Sequence, residues 1–483
     1  MLTSEVCWSR TSLLVATVSL AMTIGCNPQP ATRPSPELPF AGQTVEIAVP
    51  RDLELHELWQ PILQEWQAAT GATVSWSEFD LSAPPWQSGA EIPAAGRVLV
   101  VPLSDLASAD AAGGLQPLPA TTQERIDDKD IFIGLKESTL CRDKKLIAVP
   151  ISAPTLLCYY RADLLSAAGG EPPRTWDDYQ QLIDEIDQWA PQLSAWEPCG
   201  PEFRASLFLA RATAFCKHSQ NYSLWFDIQT GEPLFDTPGF ERALETAQAA
   251  WKKMPAEVWT ATPEDCRQAL LAGRAALALT WEPSASYPRS VQQSQVVAEQ
   301  PGPVLIGAVR LPGADSVYQR DAKRWESPSE GEPNQPGFVG FTGLALGVTG
   351  ANDTAAAWSL FESLVGQLSQ AFAERPRSPC RESEMGLAWF GADGTLSPET
   401  AASITEATAA SLRHGNVVCD LALPHAHAIR EILTTELARV KDGSAKPQDV
   451  LAAINSQIAA ATQADRTALR AAYRRSLGLS PIK

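Results

Sequence analysis

Hydrophobic positions along the chain follow two periods, one typical of buried strands and one typical of amphipathic helices. The segments 44–49 (TVEIAV) and 97–101 (RVLVV) predict strands. Between them, apolar residues of 53–69 recur at helical spacing, with Pro61 inside the run, where the helix either starts late or kinks. The segment 72–76 (ATVSW) predicts the next strand, so a strand, a helix and a strand in succession predict a βα unit. The fully apolar segment 97–101 is typical of a parallel sheet covered on both faces.

The most informative stretch runs from Lys144 to Ile186. It predicts strands over 146–149 and 156–160, followed by a short helix over 162–168. Thr175 and Asp178 have the spacing of a capping box, so a new amphipathic helix should begin there.

Strand and helix patterns continue to alternate over the rest of the chain. The predicted strands are 274–281, 304–312 and 338–348, and the predicted helices are 203–215, 238–251, 263–271, 353–372, 429–440 and 449–461. The polar, Pro- and Gly-rich segment 313–337 predicts a long surface loop. The alternation predicts an α/β protein.

Length and charge narrow the class of protein. The chain has 483 residues with 45% hydrophobic content, more than one ordinary domain needs, so two lobes are expected. The net charge is −18 and no basic run occurs, which argues against nucleic acid as a partner.

The N-terminal segment predicts export. An apolar run over 12–24 follows Arg10 and is too short to span a bilayer. It ends at Gly25-Cys26, which resembles a bacterial lipoprotein signal; an ordinary secretory signal cut near Gly25 is the alternative. The Pro-rich segment that follows predicts an extended tether, so a lipid on Cys26 would anchor an otherwise soluble protein to a membrane.

The remaining cysteines leave their pairing open. Seven would be left in the exported chain, an odd number, so at least one thiol stays unpaired: Cys141, Cys158, Cys199, Cys216, Cys266, Cys380 and Cys419. No CxxC pair occurs, so neither a zinc site nor a redox motif is expected.

The sequence shows no pattern of catalytic residues. It contains no GxSxG, HExxH or P-loop motif, and His425 and His427 are two apart, a spacing that favours surface positions over metal ligation. No cofactor, metal or catalytic residue is therefore predicted. Tyr159 and Tyr160 leave open an iron-binding alternative, although neighbours on a strand face opposite ways.

Four motifs carry a resemblance to a known family. They are 146–150 (LIAVP), 159–161 (YYR), 163–165 (DLL) and 172–178 (PPRTWDD). In this order they resemble a signature of the extracellular solute-binding proteins of sugar-type ABC importers, the maltodextrin-binding-like family. Arg161 stands where the family has Asn. The resemblance runs from about Gln43 to about Ala461.

The resemblance implies a type II periplasmic-binding fold, an α/β architecture with two lobes joined by hinge strands. The predicted division is a lipoprotein signal peptide over 1–25, a tether over 26–40, an N-terminal lobe of 41–151 plus 311–375, and a C-terminal lobe of 152–310 plus 376–483.

Family position also implies which residues would border a cleft between the lobes. The candidates for ligand binding are Arg51, Asp52, Ser104, Asp105, Ser152, Thr155, Glu202, Phe203, Trp281, Phe341 and Arg381. Trp281 stands where the family often places a sugar-stacking Trp, and packing between the lobes is its alternative role. Pro154 stands where the family offers a Glu, so the ligand is not expected to be identical.

The resemblance implies a protein that binds its ligand without altering it chemically. A monomeric, lipid-anchored receptor would close its lobes on a carbohydrate or similar polar solute and deliver it to an ABC permease. The alternatives are a sensory or scaffolding lipoprotein on the same fold, an iron-binding receptor and an exported hydrolase.

Overall fold

The computed structural model describes residues 38–51, 53–80, 84, 86, 96–112, 114–221, 223–282, 305–328, 331–340, 342–350, 352, 354–372, 377–385, 397–441, 443 and 445–479. The predicted signal peptide, Cys26 and most of the predicted tether lie outside these residues. Within them, no helix combines the length and the hydropathy needed to cross a bilayer.

The strands are β1 (Thr44–Pro50), β2 (Thr73–Phe79), β3 (Arg97–Pro102), β4 (Cys141–Arg142), β5 (Lys145–Leu146), β6 (Val149–Ser152), β7 (Leu156–Arg161), β8 (Ser194–Trp196), β9 (Ala275–Trp281), β10 (Ile306–Arg310), β11 (Val317–Gln319), β12 (Arg324–Glu326), β13 (Phe338–Val339), β14 (Leu344–Thr349) and β15 (Val418–Cys419).

The α-helices are α1 (Leu55–Thr70), α2 (Leu106–Ala111), α3 (Ala120–Arg125), α4 (Ile133–Leu135), α5 (Ala162–Ala167), α6 (Trp176–Asp184), α7 (Ile186–Trp189), α8 (Pro201–Cys216), α9 (Pro238–Trp251), α10 (Pro263–Leu271), α11 (Ala355–Gly366), α12 (Leu368–Ala371), α13 (Pro398–Leu412), α14 (Ala426–Leu437), α15 (Pro447–Ala461) and α16 (Arg466–Ser476). A π-helical turn, Lys136–Leu140, follows α4.

The first lobe is built on a five-stranded sheet with the order β2-β1-β3-β14-β6. β1 runs parallel to β2 and β3, whereas β14 runs antiparallel to β3 and β6. In β3, all residues after Arg97 are buried, as expected for an inner strand whose two faces are covered.

The second lobe is built on a four-stranded sheet with the order β10-β7-β9-β8. β7 lies antiparallel to both β10 and β9, and β8 lies parallel to β9. Every residue of β9 is buried. The long helix α8, which also has few exposed residues, packs on α9 and α14 in this lobe.

Each sheet has its own hydrophobic core. The first core contains Ile47, Val100 and Leu346, and the second contains Leu157, Phe208 and Leu279. The predicted residue division between the lobes stays a prediction; Ala314 and Phe338 pack in the second core. The helical C-terminal region also packs there, since Ile429, Leu433, Ile454 and Leu469 are all fully buried in it.

Three chain segments cross between the lobes side by side. The first joins β6 to β7, the second follows β13, and the third follows β15. The backbone N–H of Gly340 donates to the carbonyl of Pro154 at 2.7 Å, and that of Asp420 donates to the carbonyl of Val339 at 2.9 Å. These bonds link the crossing segments to one another, an arrangement typical of a hinge.

The capping box predicted at Thr175 is confirmed. Its hydroxyl accepts from the backbone N–H of Asp178, and the Asp178 carboxylate accepts from the backbone N–H of Thr175. The two bonds satisfy donors that the first turn of α6 would otherwise leave unpaired.

Two predicted elements differ from the structure. The predicted strand 146–149 is split between β5 and β6, and Pro150 lies inside β6, which is an edge strand and so tolerates a missing N–H. The predicted strand 338–348 is two strands, β13 and β14, which pair in different sheets. Gly343 lies between them, where a Cβ atom would come within 2.7 Å of the Ser152 carbonyl oxygen.

The segment 313–337, predicted as a surface loop, contains the antiparallel hairpin β11–β12. Val317 and Gln319 are buried, and Asn221 fixes the hairpin to the second lobe by donating to the Tyr318 carbonyl at 2.7 Å. The hairpin was hidden because β12 lacks the alternation of buried and exposed residues typical of a strand; Arg324 and Trp325 are both exposed.

Candidate functional site

Four of the sequence-predicted residues lie at one edge of the first sheet. β1 and β3 are parallel, and β6 runs in the same direction as β3 because both are antiparallel to β14. The carboxyl ends of these three strands therefore meet at the same edge. Arg51 follows β1, Ser104 and Asp105 follow β3, and Ser152 ends β6. This edge of an open α/β sheet is where ligands commonly bind.

The Asp105 carboxylate is held in place at that edge. One oxygen accepts from the Ser104 hydroxyl at 2.9 Å, and the other accepts from the Trp86 indole N–H at 3.2 Å. Trp86 in turn meets Phe79 edge to face, with ring centroids 5.2 Å apart. Sequence reasoning missed Trp86, whose surrounding segment has no periodic pattern. An oriented carboxylate beside an aromatic pair has the chemistry that hydroxyl-rich solutes need.

The facing edge belongs to the second sheet. Thr155 precedes β7, Trp281 ends β9, and Phe203 lies in the first turns of α8, which follows β8. Phe203 and Trp281 lie 6.1 Å apart between ring centroids. Glu202 is exposed beside Phe203. The two edges, joined directly by the short connection from Ser152 to Leu156, border the candidate cleft.

Trp281 is almost wholly enclosed. Its side chain is 2% exposed, and a Cβ atom on Gly340 would come within 2.5 Å of the indole nitrogen, so the ring lies directly on the crossing backbone. Among the described residues, no hydrogen-bond partner reaches this nitrogen. These contacts favour packing between the lobes, the alternative role for this residue.

Arg381 lies apart from the two edges. Its guanidinium donates to the carbonyls of Ile126 and Asp127 at 3.0 and 3.2 Å, and its backbone N–H donates to the Glu384 carboxylate. The side chain therefore fixes a first-lobe loop. Asp52, Phe341 and the lipidation candidate Cys26 lie outside the described residues.

Sequence reasoning also missed Glu282, which directly follows Trp281. The side chain is 0% exposed, and its carboxylate accepts from the backbone N–H of Thr155 at 3.3 Å and from the Thr408 hydroxyl. Burial raises the pKa of Glu282 to about 8, although these hydrogen bonds and the nearby Arg267 oppose the shift. A proton-binding group thus lies where the crossing segments meet.

The two neighbouring tyrosines lie in different environments. Tyr159 is buried in the second core, and Tyr160 lies with its ring against Gly307. Burial raises the pKa of the Tyr159 phenol well above its usual value, so the phenolate that iron would need is disfavoured. Within the described residues, no group of three His, Cys, Asp or Glu side chains could hold a metal ion.

Solved structures share this architecture. The maltose-bound MalE3 of T. maritima is 18% identical with a TM-score of 0.59, covering 86% of this chain and 99% of its own. The sugar-binding protein MalE from Xanthomonas citri is 18% identical with a TM-score of 0.63, covering 88% and 98%. A solute-binding protein of an ABC transporter from Agrobacterium vitis, with bound D-mannitol, is 16% identical with a TM-score of 0.58, covering 87% and 99%.

Two α/β lobes, each with its own sheet, joined by crossing segments that border a cleft, define the class of two-lobed periplasmic binding proteins. The model of the bacterial extracellular solute-binding protein family matches residues 62–396, and the chain belongs to that family. The resemblance to maltodextrin-binding-like proteins and the predicted fold class are therefore confirmed.

Proposed function

We propose that this protein is the solute receptor of an ABC importer and that it captures a carbohydrate or polyol by closure of its two lobes. The observation that carries the proposal is the facing pair of sheet edges. One edge exposes Arg51 and part of Asp105 beside the buried Ser104, and the other exposes Glu202 near the buried Thr155, across a hydrogen-bonded crossing. Sugars and polyols are recognised by dense hydrogen bonding of this kind, with aromatic rings alongside.

The relatives support this choice of solute class. Two of them are a maltose-bound protein and a mannitol-bound protein, both with the same fold. The proposed contacts are Arg51, Asp52, Ser104, Asp105, Ser152, Thr155, Glu202, Phe203 and Phe341. Trp281 would support the cleft from beneath, and Arg381 would hold the first-lobe loop.

Binding at the cleft can be tested by thermal shift with a panel of maltose, D-mannitol, D-tagatose and glycine. A solute that binds only the folded state raises Tm. We expect a sugar or polyol to raise Tm and glycine to leave it unchanged. Asp105→Asn should weaken binding of the hit about tenfold, as loss of one charged hydrogen bond does.

Asp177→Asn is the matched control, because that carboxylate is exposed on α6. It should leave the affinity unchanged. If D105N and D177N bind the hit equally well, Asp105 has no part in the site. If no sugar or polyol raises Tm, the proposed solute class is wrong.

We further propose that a lipid on Cys26 anchors the receptor to the membrane. The support is the apolar run that ends at Gly25-Cys26 and the Pro-rich segment after it. Wild type expressed in a bacterial host should partition into the detergent phase of Triton X-114, and Cys26→Ser should partition into the aqueous phase. Equal partitioning of the two would contradict the anchor.

A further inference from the structure

The C-terminal helix α16 lies beyond the residues matched by the family model and contacts both lobes. It follows α15 and a short connection at 462–465. One side packs into the second core, where Leu469 is 0% exposed. The other side lies against β4 and the π-helical turn Lys136–Leu140. Leu140 of the turn belongs to the first core, and Cys141 of β4 packs on that core.

Tyr473 attaches α16 to the second lobe. Its hydroxyl accepts from the backbone N–H groups of Leu224 and Trp225 at 2.8 and 3.0 Å, and its ring meets Phe226 edge to face at 5.9 Å. The side chain is 4% exposed. Buried backbone N–H groups need an acceptor, so this hydroxyl fixes where the helix docks.

Three arginines strengthen the same attachment. Arg470 donates to the Gln229 carbonyl at 2.8 Å, Arg474 donates to the Ile228 carbonyl at 3.1 Å, and Arg466 forms an ion pair with Glu232. The helix carries four arginines and no acidic residue. It is therefore a basic element in a chain whose net charge is −18.

Arg475, the fourth arginine, acts on the first lobe. Burial raises the pKa of Asp110 in α2, and the positive charges of Arg142 and Arg475 oppose that shift. Asp110 forms an ion pair with Arg142 of β4. The guanidinium of Arg475 thus adds to a charge cluster of the first lobe, while the rest of its helix is attached to the second.

An open pocket lies where α16 meets the two lobes. Its volume is about 250 Å³. Gly134 and Glu137 of the first lobe, Trp225 of the second, Val418 of the crossing strand and Leu477 just after α16 all line it. Because the pocket is open to solvent, the helix is not packed against the first lobe along its whole length.

We propose that α16 is a strap that holds the two lobes in one mutual orientation, and that its release from the first lobe shifts the equilibrium between open and closed forms. The second-lobe attachment includes the buried Tyr473 and hydrogen bonds from three arginines, whereas the first-lobe attachment is a small contact with β4 and the π-helical turn that borders an open pocket. Release should therefore begin at the first lobe. An element that binds one arrangement of the lobes better than another shifts their populations by that difference in affinity.

The test compares two substitutions that remove the same charge from the same helix. Arg475→Gln weakens the side that faces the first lobe, and Arg466→Gln, the control, weakens only the attachment to Glu232 and the Ala459 carbonyl. In the exported chain without solute, we expect R475Q to speed amide hydrogen exchange in 136–142 about tenfold, as release of a local contact does. R466Q should leave that segment unchanged.

Small-angle X-ray scattering on the same proteins supplies the global readout. R475Q should change the radius of gyration relative to R466Q, while the amides of Leu224 and Trp225 stay protected, which shows that the helix is still docked on the second lobe. A third variant, truncated after Gln463, should change the radius of gyration at least as much. Equal scattering of R475Q, R466Q and wild type, or unchanged exchange in 136–142 in R475Q, would overturn the proposal and leave α16 as a packing element of the second lobe alone.

Discussion

Two buried carboxylates show how differently the interior of a lobe and the junction between lobes are built. Glu197 lies in the second core and Glu282 lies at the crossing; both are 0% exposed. Glu197 is paired with the Arg211 guanidinium at 2.5 Å and also accepts from the Tyr179 hydroxyl and the Trp251 indole at 3.0 and 2.7 Å. Glu282 accepts from a backbone N–H and a threonine hydroxyl, which are neutral donors.

The two carboxylates differ in whether a counter-ion pairs with them. Arg211 itself is 1% exposed and stacks on Trp176 with its guanidinium carbon 4.1 Å from the ring centroid, so ion, counter-ion and aromatic rings form one closed unit. Near Glu282, Arg267 donates to the Trp281 carbonyl and pairs with Glu264 instead. The lobe interior therefore holds a balanced charge pair, while the junction holds an acid that a change of pH can ionise.

The largest effect should come from breaking the balanced pair. Glu197→Gln leaves the Arg211 charge buried without its counter-ion, and such losses destabilise proteins by about 3–5 kcal/mol. Urea unfolding at pH 7 measures the change in the free energy of unfolding. Glu257→Gln is the control, because Glu257 is exposed. If E197Q lowers the free energy of unfolding no more than E257Q does, Arg211 pairs with other groups, and Glu197 is not its essential counter-ion.

The second effect is a pH dependence at the junction. Because burial raises the pKa of Glu282 to about 8, the folded state keeps a proton that the unfolded chain releases near pH 4.5. The stabilisation that comes from the raised pKa of Glu282 is fully present below about pH 4.5 and is lost as the pH rises through about 8. The slope is about 1.4 kcal/mol per pH unit within that window.

The measurement is the free energy of unfolding in urea between pH 7 and 8.5. Burial lowers the pKa of His414 to about 4, so its contribution lies below this range, and the buried thiols, whose pKa values burial raises, contribute above it. Glu282→Gln should flatten the curve, and E257Q should keep the wild-type slope. Parallel curves for E282Q and wild type would mean that Glu282 does not titrate in this range.

Glu197 and Glu282 also show which features of the structure can be predicted from the sequence and which cannot. Periodicity located many of the strands and helices, but it merged β13 with β14 and missed the hairpin β11–β12. The capping box at Thr175 follows from local hydrogen bonding, and the structure confirms it. The sequence gives no sign that Glu197 is buried in an ion pair. Its three partners come from α6, α8 and α9, and pairings this distant in the chain leave no local pattern.

The site is less predictable than the fold for the same reason. The family resemblance implied that Arg51, Ser104, Asp105 and Ser152 border a cleft, and the structure locates all four at the carboxyl ends of strands of the first sheet. Whether a side chain at such an end faces a cleft or is covered depends on the opposite lobe. Trp281 shows this dependence, because the ring rests on Gly340, which is far away in the chain. Glu282 was overlooked because its burial depends on Thr155 and Thr408 together.

The smallest effect separates hydrogen bonding from burial at the junction. Thr408→Val removes the hydroxyl that donates to Glu282 and keeps the shape of the side chain, so one buried hydrogen bond is lost. Such a loss costs about 1–2 kcal/mol, and the cost should be greater at pH 8.5 than at pH 6, because a hydrogen bond to an ionised acceptor is stronger than one to its protonated form. Thr405→Val on the same helix is the matched control, since that hydroxyl bonds only to the Ala401 carbonyl.

T408V should also move the midpoint of the pH-dependent loss to higher pH, because the hydroxyl stabilises the carboxylate and its removal raises the pKa of Glu282 further. T405V should leave that midpoint in place. If T408V and T405V lose the same stability at both pH values, the Thr408 hydroxyl does not affect the pKa of Glu282. Burial alone would then set that pKa. If T408V alone moves the midpoint, the neutral donors at the crossing set the protonation of Glu282.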